Sequence, residues 1–250
     1  MLARPGFLAL YDGRRIAFHF RAGAAGRPTL VFLPGYASDM GGTKALAVDA
    51  FAGQTGCGCL RFDYSGTGES GGDFADGTLA LWLDEVLAAI DRLTEGPLVV
   101  VGSSMGGWLM LHVALRRAER IAALVGIAAA PDFTDWGFSG DEKQTLLRDD
   151  RLERPNAYGS EPSVTHRAFW QSGEMMRLLD TIIAVDCPVR LLHGDDDQDV
   201  PLAVPLKLLA QLRSADVQLH LLKGGGHRLS EPHEIDALRR LLVPLVETRS

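Results

Sequence analysis

The sequence predicts an α/β protein with one mostly parallel sheet covered by helices on both faces. Three observations predict it. Short apolar runs alternate with longer stretches of helical periodicity along most of the chain. The runs are apolar at nearly every position, as strands buried on both faces are. The 250 residues, 46% hydrophobic and 23% charged, are enough for one sizeable core, so a single domain spanning residues 1–250 is expected.

The start reads as an antiparallel hairpin, residues 7–10 and 15–20 flanking the turn pair Asp12-Gly13. Residues 29–33, closed by Pro34-Gly35, form a short apolar run and read as a buried strand. A helix follows over about residues 42–54, and then a strand over 57–62. Leu79, Leu83, Val86, Leu87 and Ile90 recur at helical spacing and predict a helix over 79–93. The alternation continues with a strand at 98–101, a helix over 105–118 and a strand at 121–127. Further on come a strand at 189–192, a helix over about 201–212, a strand at 217–222 and a last helix over 233–246. Residues 131–186 interrupt this rhythm and are far longer than a usual connection. They are expected to form a small, mostly helical lid over the strand ends. Its Trp136, Phe138, Phe169, Trp170 and Met175 are expected to line an apolar pocket.

Composition excludes several function classes. A formal net charge of -7 repels phosphate backbones, which argues against a nucleic-acid partner. Three cysteines, an odd and sparse count, argue against a disulfide framework. Cys57 and Cys59 alternate along a strand and so share a face, as buried thiols rather than metal ligands. No apolar run approaches the ~20 residues that span a bilayer. Residues 1–6 lack the basic start and apolar run of a signal peptide. A soluble, cytoplasmic protein is therefore expected.

In doubly covered parallel sheets, reactive groups sit in loops at the carboxyl ends of the strands. The pattern Gly-x-Ser-x-Gly occurs at residues 102–106 and at residues 68–72. A nucleophile elbow needs a buried strand before its serine and a helix directly after it. Residues 97–101 and 108–112 supply both around Ser104. Asp73, Asp76 and Gly77 follow Ser70, which therefore belongs to a turn. Ser103 is one residue out of register and is expected to pack against the strand.

A serine hydroxyl needs a base. Of seven histidines, His227 alone follows a glycine-rich loop, Gly224-Gly225-Gly226, at a strand end. His19, His112, His166, His193, His220 and His233 lack that setting and take structural readings. An acid should orient the imidazole. Asp195, Asp196, Asp197 and Asp199 crowd the loop after His193, and local reasoning does not choose among them. An oxyanion needs backbone donors. The N–H of Met105, directly after Ser104, is one candidate, and Tyr36 in the loop after Leu33 is the other.

Taken together, these segments resemble an α/β-hydrolase over nearly the full length. Leu33-Pro34-Gly35-Tyr36 resembles the oxyanion loop, residues 63–70 the Asp-x-x-Gly-x-Gly-x-Ser turn, and residues 102–106 the elbow. Residues 193–201 resemble the His-Gly-x-x-Asp-x-x-Val-Pro segment, and Gly226-His227 resembles the histidine loop. The resemblance implies the α/β-hydrolase fold and selects Asp197 as the acid. Residues 35–40, 42–45, 61–66, 102–108 and 227–230 further resemble the mitochondrial palmitoyl-protein thioesterase branch. Its members hydrolyse thioesters of fatty-acylated cysteine, and some cleave acyl glucuronides.

This implies a serine hydrolase acting on a carboxylic ester or thioester, a small molecule or an acylated protein, with no metal or organic cofactor. The alternatives are a general carboxylesterase, a C–C bond hydrolase, and a non-catalytic ligand-binding module of the same fold.

Overall fold

Successive residues of a strand face opposite ways, so a strand covered on both sides feeds two cores. In β3 (Thr29–Leu33), Val31 and Leu33 enter one core, while Leu30 and Phe32 enter the other. In β5 (Leu98–Ser103), Leu98 and Val100 join the first, and Val99 and Val101 the second. The computed structural model describes residues 5–156 and 161–247. These strands form the middle of an eight-stranded sheet there.

The other strands of that sheet are β1 (Gly6–Ala9), β2 (Arg15–Arg21), β4 (Gly58–Phe62), β6 (Ile121–Ile127), β9 (Val189–Gly194) and β10 (Val217–Leu222). A second, two-stranded sheet pairs β7 (Arg151–Arg154) with β8 (Ser163–His166) antiparallel. The large sheet runs in the order β1-β2-β4-β3-β5-β6-β9-β10. The predicted hairpin is its antiparallel start: β1 pairs β2 and β2 pairs β4 antiparallel, and every later pairing is parallel. The hairpin turns at Gly13, whose φ of 87° suits a residue without a side chain.

Helices α1 (Thr43–Thr55) and α8 (Pro232–Val246) carry Val48, Phe51, Leu238 and Leu242 into one core. On the other face, α2 (Leu79–Leu93), α3 (Met105–Arg116) and α7 (Ala203–Gln211) contribute Leu83, Val86, Leu109 and Leu208. The Thr78 hydroxyl caps α2 by accepting from the Leu81 N–H at 3.1 Å. Cys57 and Cys59 lie in the same core, as their alternation predicted, and Cys187 is half-buried against the other. Two helices are shorter than periodicity suggested. α3 ends at Arg116 rather than Ala118, which opens a separate 3-10 turn at Ala118–Arg120, and α7 runs Ala203–Gln211.

The 131–186 segment carries α4 (Phe133–Trp136), α5 (Gly140–Asp149) and α6 (Arg167–Met175). It is therefore helical as expected, but it also holds the β7–β8 hairpin. Strand pairing there was not legible, because each strand has only four residues and mixed polarity. Among the described residues, no helix is long and apolar enough to cross a membrane.

Candidate active site

Ser104 sits between β5 and α3 with φ 53° and ψ -116°, a strained conformation for a residue with a side chain. Close packing enforces it. A methyl group on Gly106 would stand 2.0 Å from the Leu33 carbonyl oxygen, and one on Gly102 would stand 2.2 Å from that of Gly106. The Ser104 N–H donates to the Ile127 carbonyl at 2.9 Å, and its own carbonyl accepts from Gly107 and Ala130. The elbow is thus held by both neighbouring strands, with the hydroxyl lifted over the sheet rim.

The loop after β10 brings His227 to that hydroxyl, Nε2 lying 3.0 Å from Ser104 Oγ. Its Nδ1 lies 2.9 Å from Asp197 Oδ2, in the loop after β9. Of the four aspartates left open by local reasoning, the structure brings this one to His227. The Asp197 side chain is 1% exposed and that of His227 16%. Burial alone would raise the Asp197 carboxyl. The bond to His227 and the backbone amides of Val200 and Asp199, each at 2.9 Å, outweigh it and hold the group below the ordinary carboxylate value. His193 Nε2 donates to the Val200 carbonyl at 3.0 Å, a structural role. Burial pushes its pKa down, which favours the neutral ring beside Asp197.

The loop after β3 abuts the elbow. A methyl group on Gly35 would lie 3.3 Å from Ser104 Cβ. Tyr36 follows Gly35 in this loop, and Met105 opens α3 directly after Ser104, the two residues whose backbone N–H groups were expected to face an oxyanion. Ser70 stays in its turn, accepting from the Ala17 N–H and donating to the Asp63 carbonyl. Asp63 accepts from the N–H groups of Met40 and Glu69, which fixes the residues leading into α1. Among the described residues, one acid–histidine group has ligand atoms close together: Asp197, Asp199 and His227. Both His227 nitrogens are already engaged, so the hydrogen-bonded relay accounts for it better than a coordination shell.

A cleft of about 590 Å³ opens over Ser104 and His227. Its described lining is mixed: Ser38, Thr43, Lys44, Arg154, Asn156 and Arg228 stand beside Phe32, Pro34, Tyr36, Ala37, Ala45 and Pro155. Lys44 Nζ donates to the Arg228 carbonyl, next to His227. Burial first, and the Arg228 charge second, push its pKa down to about 8.

The apolar pocket expected of the insertion is corrected here. Trp136, Phe138, Phe169, Trp170 and Met175 are absent from this described lining. Phe169 is 1% exposed in the core, Phe138 is buried against Phe133, Trp170 donates to the Thr134 carbonyl, and Met175 is 82% exposed. Trp136 donates to the Pro131 carbonyl and borders a separate small hollow. Of these, Phe169 packs the segment onto the body beside Tyr36 and Trp82, whereas Trp136, Phe138 and Trp170 make their contacts within the segment. The insertion residues that do reach the cleft, Arg154, Pro155, Asn156 and Ser163, belong to the unpredicted hairpin and its approach, more than a hundred residues from their neighbours Ser38 and Thr43.

Comparison with known proteins gives a consistent picture. The profile of the alpha/beta hydrolase family matches residues 30–238. The mitochondrial palmitoyl-protein thioesterase ABHD10 of Homo sapiens is 39% identical over 227 residues, covering 89% of this chain and 74% of its own length. A crystal structure of a putative hydrolase from Agrobacterium vitis S4 superposes with a TM-score of 0.92 at 39% identity, over 98% of this chain and all of that one. The alpha/beta hydrolase domain-containing protein 10 from mouse gives 0.91 at 36%, over 99% and 100%. The expected cytoplasmic location is overturned by the same comparison, since the curated relatives are named mitochondrial. That expectation rested on missing signals, and a missing signal carries no address.

Proposed function

The chain belongs to the alpha/beta hydrolase family, and on that footing we propose that it cleaves acyl thioesters and esters through an acyl-enzyme on Ser104. Ester or thioester hydrolysis is the enzyme's reaction type; the residue roles and the substrate are the proposal. The observation that carries it is the continuous relay Ser104–His227–Asp197, with contacts of 3.0 and 2.9 Å. Those lengths are within proton-transfer reach.

Ser104 Oγ attacks the acyl carbon while His227 Nε2 accepts its proton. Asp197 holds the imidazole through Nδ1 and stabilises the cation that forms. The carbonyl oxygen gains negative charge facing the N–H groups of Tyr36 and Met105. When the carbon–sulfur or carbon–oxygen bond breaks, the leaving thiol or alcohol takes the proton from His227. Water then attacks the acyl-enzyme, giving His227 a proton that returns to Ser104 as the acid departs. The human relative is named for palmitoyl-protein substrates, which makes a fatty-acylated protein the first substrate class to test.

A second reading, a carboxylesterase for short or polar acyl groups, is favoured by the charged side chains Lys44, Arg154 and Arg228 in the cleft lining. One experiment addresses both. A fluorophosphonate probe should label the wild type at Ser104, and Ser104→Ala should lose labelling and roughly 10³-fold or more of the activity on chromogenic esters and thioesters. Near-normal turnover in that variant removes the serine mechanism. In a chain-length series of p-nitrophenyl esters and acyl thioesters, rising efficiency with length supports the fatty-acyl reading, and a preference for acetyl supports the second.

A further inference from the structure

Tyr36 has a side chain that the mechanism above does not use. Its backbone N–H is the proposed second oxyanion donor, while its ring turns away into the junction between the body and the 131–186 insertion. The hydroxyl donates to the Val164 carbonyl of β8 at 2.9 Å, a contact spanning 128 residues. The ring sits 4.6 Å from that of Phe169 on α6 and 6.2 Å from Phe133 on α4, both within the insertion. On the body side it meets Phe74 edge-on at 5.1 Å and Trp82 at 6.0 Å. Phe169 in turn contacts Trp82 and Phe133. Neighbouring Ala37 holds a φ of 53°, so the loop is turned tightly immediately after Tyr36. The Ser38 N–H closes this turn by donating to the Gly35 carbonyl at 3.2 Å, and the Tyr36 side chain adds a tie outside the loop.

We infer that Tyr36 is a positioning residue through which the insertion sets the oxyanion amide: the hydroxyl bond to β8 and the aromatic seat on α4 and α6 hold the loop after β3 against Ser104. The insertion then acts as a fixed brace on the catalytic loop. Three points support this. The hydroxyl ties two segments far apart in the chain, at the Val164 carbonyl and beside Thr165 of β8, in an aromatic surround. Burial pushes the phenol pKa up, so the donor keeps its proton throughout the working range. And an oxyanion donor is sensitive to small displacements, because an error of about 1 Å in a catalytic group costs up to roughly 10²-fold in rate.

The inference rests on the serine-hydrolase reading, and the test separates the two. Tyr36→Phe keeps the ring and removes only the hydroxyl. On a chromogenic ester, kcat should fall about tenfold with KM within about twofold of wild type, because the lost alignment matters where charge develops on the oxygen. Affinity for a trifluoromethyl ketone, whose serine adduct carries an oxyanion, should fall in parallel with kcat. A purely structural hydroxyl would lower the melting temperature while leaving kcat and ketone affinity within about twofold; that result overturns the inference. If Tyr36→Phe does not fold, Phe169→Leu loosens the same seat from the insertion side and is read by the same two measurements. Fluorophosphonate labelling of the wild type is scored first. No labelling at Ser104 defeats the serine reading, whereas labelling with an unchanged Tyr36→Phe defeats the brace alone.

Discussion

At Lys44 a half-buried ammonium group in the cleft wall carries a desolvation cost. Its pKa of about 8 lies below the ordinary lysine value of 10.5 because burial disfavours the charged form, with Arg228 adding repulsion. Between those two values the unfolded chain binds a proton that the folded chain lacks, so stability contributed at this site rises with pH across that window. Below about pH 8 both states are protonated and the cost of the buried charge is borne in full. Lys44→Met should remove this slope. Urea unfolding at a series of pH values from 7 to about 9.5 should show a smaller gain, or a larger loss, with pH in the variant than in the wild type; parallel curves would contradict it. Ser104 and Asp197 pose the converse case. The first keeps a strained backbone and the second a buried charge, and each is held by several partners. Such over-determination is how a folded chain sustains local conformations that cost of order 1–3 kcal/mol.

At the scale of elements, the insertion is held by its large side chains, and two of them make a clean contrast. Phe169 lies on the buried face of α6 among Tyr36, Trp82 and Phe133, whereas Met175 at the end of the same helix is in solvent. Phe169→Ala should cost about 3–5 kcal/mol of stability, and Met175→Ala should stay within about 0.5 kcal/mol of wild type, both read from denaturant midpoints. Similar effects for both would mean that α6 packs differently. Asp132 reinforces the exit of the same segment by accepting from the N–H groups of Leu178 and Leu179. Hydrophobic type was legible for all these residues, but their destination was not. An aromatic side chain on a short helix fits equally well against a substrate or against a core, and only the neighbouring element decides.

Across the whole molecule, the sheet order puts β3 and β5 at the centre and β1 and β10 at the edges. Every residue of β3 and β5 is buried, whereas most of β1 is exposed and β10 is at best half-buried. Amide hydrogen exchange should therefore be slowest in β3 and β5 and fastest among the sheet strands in β1 and β10. Edge strands that outlast the centre would contradict this topology. The same order explains the site. The elbow after β5 lies beside the loop after β3, and the loops after β9 and β10 bring acid and base to the same rim. A rigid centre thus carries the strained serine, and the less buried edge supplies the histidine.

The sequence alone determined the alternation of strands and helices, the elbow serine and the glycine-rich histidine loop, because these depend on near-neighbour geometry: periodicity, a tight turn, a strand followed at once by a helix. It narrowed the acid to four aspartates, and family resemblance singled out Asp197. Tertiary structure alone decided which side chains line the cleft, the packing of Phe169 against the body, and the contacts Tyr36–Val164 and Lys44–Arg228. The two named contacts join residues more than a hundred positions apart, through side chains whose directions are set by packing and leave no periodic trace in the chain.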